Sequence, residues 1–210
     1  IDSPSTPAGL GRATQLVLAG HETLMLFQGT RFQVELLDEP TYTLGSRDNP
    51  TLYDAELRLE GEERPSSKHG LRCIDRGERS SSIIITAAGG ATGVHTESCV
   101  LMPDRCVVVI GNQVVCLELP ALSVLWHVRG DVATCYGLYL ASGGENLVLH
   151  GECEISMLTP EGQRLWAFSG EDIFTGRFDI NENVIEVIDF NGQMYCINVR
   201  SGAGEVANAG

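Results

Sequence analysis

Apolar positions recur along this chain with the two-residue period of strands, and nowhere with the 3.6-residue period of a helix. In "CEISMLT", Cys153, Ile155 and Met157 alternate with Glu154 and Ser156. The longest apolar runs, "CVVVIG" and "SIIITAAG", have strand length and fall far short of the roughly 20 residues that cross a bilayer. Between residues 134 and 168 the pattern predicts four strands: Thr134–Leu140, Asn146–His150, Cys153–Thr159 and Gln163–Phe168. "SGGEN", Gly151 and "PEGQ" separate them, where glycine and proline supply turn geometry. Further strands are predicted in "TQLVLAG", "TLMLFQG", "RFQVELL", "LYDAELRLEG" and "SSIIITAAGG". "DEPTYTLGSRDNP" and "GEERPSSKHG" read as loops.

The two tryptophans stand at the same point of similar phrases, "VLWHVRGD" and "RLWAFSGED". Sliding the chain by forty residues, without a gap, brings Gly111 onto Gly151, Leu117 onto Met157, Pro120 onto Pro160 and Trp126 onto Trp166. A second slide aligns Val115, Ile155 and Tyr195, and places Gly202 on Gly162 and Val206 at the tryptophan position. A period near forty is a signature of propeller-like arrays. The expected fold is therefore all-β: about three four-stranded antiparallel units, near Ser98–Arg129, Thr134–Phe168 and Phe174–Val206, with additional N-terminal strands. A closed five-bladed propeller is the alternative, since 210 residues hold about five such units. The expected divisions are a flexible leader over residues 1–12, an N-terminal β region over 13–93 and the repeats over 94–210.

"GNQVVCLELPALSVLW", "GECEISMLTPEGQRLW" and "NGQMYCINVRSGAGEV" resemble the quinoprotein-type propeller repeat, the PQQ-like repeat, over about residues 98–206. The resemblance implies that Trp126 and Trp166 are wedges, largely buried, each packed against a neighbouring blade. It does not bring the family's cofactor chemistry, which needs a full ring of many blades. The first copy also lacks the turn glycine, and the third lacks the tryptophan.

Charge narrows the choice of partner. Acids outnumber bases 28 to 14, a net charge of −14, which repels phosphate backbones and anionic lipid and suits a basic protein. Seven cysteines without CxxC or zinc-site spacing predict free buried thiols and a reducing, cytoplasmic setting. Cys116 and Cys196, two periods apart, are expected in equivalent places that do not face each other.

Sequence reading identifies no catalytic, cofactor-binding or metal-binding residue. "AAGGATG" lacks the lysine and hydroxyl of a phosphate loop and reads as a mobile turn. "DINEN" begins like a calcium loop but has Val184 where glycine and Phe190 where glutamate belong, so it reads as a hairpin turn. The five histidines, His21, His69, His95, His127 and His150, show no ligand spacing, and pairing Cys99 or Cys135 with one of them to form a nucleophile is disfavoured. The expectation is a non-catalytic module that binds another protein; the alternative is a small-ligand binder or enzyme with its site in a central funnel.

Overall fold

A computed structural model describes residues 12–17, 23–59 and 64–207. Six strands form an N-terminal sheet: β1 (Arg12–Val17), β2 (Thr23–Gln28), β3 (Phe32–Asp38), β4 (Ala55–Arg58), β5 (Ser67–Asp75) and β6 (Glu78–Ala87), in the order β1-β2-β3-β5-β6-β4. Three four-stranded antiparallel blades follow. The first holds β7 (Cys99–Leu101), β8 (Arg105–Ile110), β9 (Gln113–Glu118) and β10 (Val124–Arg129). The second holds β11 (Cys135–Leu140), β12 (Leu147–Gly151), β13 (Ile155–Leu158) and β14 (Arg164–Phe168). The third holds β15 (Phe178–Ile180), β16 (Val184–Ile188), β17 (Met194–Asn198) and β18 (Gly204–Val206). The sole helical element among the described residues is a 3₁₀ turn, Thr96–Ser98, so none is long and apolar enough to cross a membrane.

The fold is thus the expected all-β array. Among the described residues there are four sheets rather than the five of a closed ring. Each joint has its own core. One joins the N-terminal sheet to the first blade through Leu36, Leu71, Ile85, Val108 and Leu117. A second joins the first blade to the second through Val107, Val114, Leu147 and Leu149. A third joins the second blade to the third through Val148, Ile155, Ile185 and Ile197. The first strands of the first two blades lie side by side, and β11 also touches the 3₁₀ turn.

Three features depart from the sequence reading. β5, the strand that pairs both β3 and β6, runs through "SSKHG" and "LRCID"; the sequence pattern puts the first in a loop and the second in no predicted element. Its polar residues are buried in place: Ser67 binds Gly90 O and Thr92, and His69 Nε2 lies 3.1 Å from Thr92 O. Gly70 leaves room for Tyr53, whose hydroxyl would lie 1.8 Å from a Cβ there. β4 pairs with β6 in parallel, so the N-terminal sheet is mixed. "AAGGATG" is a packed connector rather than a mobile turn: Ala88 O accepts from Asn112 N at 3.2 Å, and a Cβ on Gly90 would meet Thr134.

The forty-residue register also fails within one strand. Val115 and Leu117 face the N-terminal sheet, Ile155 and Met157 face the third blade, and Tyr195 and Ile197 face back to the second. Turn length is the cause. Six residues separate the pair Leu117/Val124, five separate Leu158/Arg164, and six separate Ile197/Gly204. A one-residue slip turns every side chain of a strand to the other face. Ser156 and Leu158 of β13 are therefore the true counterparts of Val115 and Leu117. The strand also begins at Ile155, because the Asp131 carboxylate takes the N–H groups of Cys153 and Glu154 into a turn.

Candidate functional site

Both tryptophans join adjacent blades as expected, through a joint made of three parts. Trp126 Nε1 donates to Pro160 O at 2.9 Å and Trp166 Nε1 to Val199 O at 3.1 Å, each on the blade that follows. Each ring lies against a turn glycine, Gly162 or Gly202, where a Cβ would come within 2.7 or 2.5 Å of the indole. The third part is a bulge. Leu125 and Leu165 are the extra residues opposite β9 and β13, exposed at 46% and 53%, and they rotate the following tryptophan onto the blade face. Contrary to expectation, the tryptophans are half-buried rather than largely buried, because they lie on outermost strands. Where the N-terminal sheet meets the first blade, Ser81 Oγ donates to Pro120 O instead. Leu122 takes the glycine's place there, at φ 56° and 3% exposed, with its side chain in the core.

The third blade breaks this pattern. β18 pairs with β17 without a bulge, Cys196 opposite Glu205 and Tyr195 opposite Val206. In the first blade Trp126 lies opposite Cys116, so the wedge position is held by Glu205, while Val206 turns to the other face. One face of the blade, Ile185, Val187, Tyr195 and Ile197, is buried against the second blade. The far face carries Val184, Glu186, Ile188, Met194, Cys196 and Glu205, all half-buried or exposed. In the second blade, by contrast, β12 and β13 are buried on both faces. On the far face, Val184, Cys196, Asn198, Ala203 and Glu205 line a trough of about 360 Å³.

Rings pack between the second blade and the first strand of the third. His150 stacks on Phe178 at 4.4 Å and meets Tyr136 edge-on at 5.3 Å, while Tyr139 stacks on Phe178 at 4.7 Å. Burial pushes His150 down to about 4 and the Tyr139 hydroxyl up to about 12. Cys99 and Cys135 are buried strand residues, and burial holds the Cys135 thiol above the usual range, the opposite of an activated nucleophile. All seven cysteines are free: Cys116 lies beneath the second blade, Cys196 on the open far face. "DINEN" is the β15–β16 hairpin, in which Asn181 N donates to Val184 O at 2.9 Å. His127 is exposed on β10, and His69 is buried in β5 with its ring neutral, pushed down to about 4 by burial. His95 lies 3.1 Å from Glu97, and His21 lies outside the described residues. Among the described residues no three His, Cys, Asp or Glu side chains converge as a metal site would require.

The buried carboxylates are occupied structurally. Asp131 accepts from the N–H groups of Ala133, Cys153 and Glu154 at 2.7–3.1 Å, Glu39 from the Tyr53 hydroxyl at 2.6 Å, and Asp189 from Gln193 N and the Tyr195 hydroxyl. The far face of the third blade is the surface that sequence reasoning missed. Its signal was present as Glu205, but the ungapped slide puts Val206 there.

No family model matches the chain, and no curated protein does. The quinoprotein-type repeat is therefore not established as its family, whereas the blade architecture stands on the structure. Among solved structures, the chain is similar to a crystal structure of a fragment of HIRA, at 10% identity and TM-score 0.45, covering 96% of this chain and 57% of that one. It is also similar to BamB from Moraxella catarrhalis, at 13% identity and TM-score 0.49, covering 92% of this chain and 63% of that one. The chain thus spans about three-fifths of the length of each.

Proposed function

We propose that this chain is a non-catalytic, cytoplasmic protein-binding module whose partner is a basic protein rather than nucleic acid or an anionic membrane. The observation that carries the reading is the open far face of the third blade, apolar in part and acidic, in an array whose inner blades bury both faces. A large exposed apolar surface rimmed by polar groups marks an interaction site. The net charge of −14 supports a basic partner, and the field is strongest where the face lies: after residue 93, fifteen acidic residues stand against five basic ones. The N-terminal sheet and the blades work as one body in this reading, since the first blade shares a core with that sheet.

The test is affinity capture of the tagged chain from its host at low salt, followed by reconstitution of the complex from purified components. The expected result is a basic partner whose complex weakens as salt rises. Recovery of no partner by chain shown to be folded would overturn the reading. Fractionation of the host tests the compartment.

A further inference from the structure

We infer that the far face of the third blade is a docking site for an extended, lysine- or arginine-bearing peptide segment; this rests on the protein-binding reading above and gives it a place and a chemistry. The face has two ingredients in one geometry. Val184, Ile188, Met194 and Cys196 offer apolar contact, while Glu186 and Glu205 bring carboxylates onto the same face through the pairs Glu186/Cys196 and Cys196/Glu205. Asp179 on β15, opposite Glu186, adds a third carboxylate, which the guanidinium of Arg177 just before that strand binds; Glu186 and Glu205 form no ion pair among the described residues. The trough crosses three strands, from Val184 on β16 past Cys196 to Glu205 on β18.

Glu205 decides the occupant. At the two inner joints the same position is a tryptophan whose ring takes a turn glycine of the next sheet, so those faces are built for another blade. A carboxylate there would be buried without a partner beneath an apolar sheet, which costs far more than it returns. A second copy packed face to face sets one acidic face against another, where like charges repel. An occupant that brings its own cations between apolar residues resolves both conflicts, and an extended segment whose sheet-facing residues, every second one, alternate between cation and apolar side chain matches the mixed far face.

The experiment uses a fluorescent heptapeptide with lysine and valine taking turns at every second position and serine between them, and a glutamate–valine counterpart of the same pattern, titrated by anisotropy against the full chain. Three proteins are compared: the parent, E186K/E205K, and E145K/E161K. The last carries the same net charge but alters exposed turns of the second blade. Circular dichroism confirms that each is folded. Expected is salt-sensitive binding of the lysine peptide to the parent, weakened roughly tenfold or more in E186K/E205K and by less than about twofold in E145K/E161K. Equal weakening in both variants would show that the field of the whole chain, not this face, attracts the peptide, and would overturn the inference. Absence of binding to the parent would overturn it as well. A photo-cross-linker placed at Met194 or Tyr136 separates this inference from the broader reading. A captured partner that cross-links only from Tyr136 leaves the module standing and removes the site. Binding of the lysine peptide at Met194 with no partner captured from the host leaves the site standing and removes the module.

Discussion

Gly162 and Gly202 are glycines because an indole ring occupies the place of their Cβ, at backbone angles of φ 81° and 69° that side chains rarely adopt. Gly192 shares the angle, φ 82°, but no atom lies within 4 Å of where a methyl would stand. Substitution by alanine should therefore cost about 1 kcal/mol at Gly192, the left-handed backbone penalty alone. At Gly162 or Gly202 it should cost at least about 2 kcal/mol, since ring or turn must also move. Urea unfolding of the three variants measures the difference; equal losses would remove the glycine from the joint. The tryptophans separate in the same assay. Trp126→Phe loses the bond to Pro160 O and should cost about 1 kcal/mol. Trp126→Ala also loses the ring and should cost about 2–4 kcal/mol, toward the low end for a large aromatic because the side chain is half-buried. His69 and His150 give the chain an acid limit. Both are held neutral by burial, pushed down to about 4 from the ordinary 6.5. As pH falls through 6.5 the unfolded chain takes up protons first, so stability is lost between about pH 6.5 and pH 4, by up to about 3 kcal/mol for each histidine. Urea midpoints at about pH 7 and about pH 4.5 test this, and His150→Phe should shrink the loss on acidification.

At the scale of the element, the outer strands depend on one extra residue. Leu125 is exposed and touches no core, so Leu125→Ser should leave stability within about 0.5 kcal/mol. Deleting Leu125 removes the bulge, slides Trp126 by one position and turns its ring out of the joint. The expected readout is a red-shifted tryptophan emission with a stability loss as large as that of Trp126→Ala. An unshifted spectrum would show that the bulge does not aim the ring. The same bulge-free pairing that turns Val206 to the opposite face, where it is still exposed, puts Glu205 on the far face, so the character of that surface is set by the count of residues in β18. The mixed N-terminal sheet follows from a similar local cause, since the segment between Asp38 and Ala55 returns β4 alongside β6 in parallel, held by Glu56 accepting from the Tyr42 hydroxyl and Gly45 N.

For the whole molecule, each of the three cores among the described residues joins two sheets adjacent in the row, so stability is approximately a sum of blades and joints. The second blade has two joints and the third has one. Amide exchange should therefore be faster in β16 and β17 than in β12 and β13, with the third blade opening as a unit before the rest. Exchange followed by mass spectrometry reads this directly; uniform protection across the two blades would mean that the array unfolds all at once. Binding of the lysine–valine peptide to the far face should slow exchange in the third blade first, because a ligand stabilises the state it binds.

The chain's own pattern determined the class of the fold. Two-residue alternation, turn residues and the forty-residue spacing of Trp126 and Trp166 specify four-stranded units, because strand period and turn chemistry are local properties. The wedge role of the tryptophans came from the likeness of the repeat to the quinoprotein-type propeller, whereas the contact of each ring with Gly162 or Gly202 is seen only in the structure. What faces what was decided only in three dimensions. One residue fewer in the turn after β13 reverses the direction of Ile155 and Met157, and alternation looks the same from either side. β5 was hidden because Ser67, His69 and Gly70 are polar or small, and only the contacts with Gly90, Thr92 and Tyr53 show why they are buried. The candidate binding face was beyond the sequence for a related reason: an acid at Glu205 becomes informative once the strands pair, because pairing alone shows that it stands where two other blades place a tryptophan.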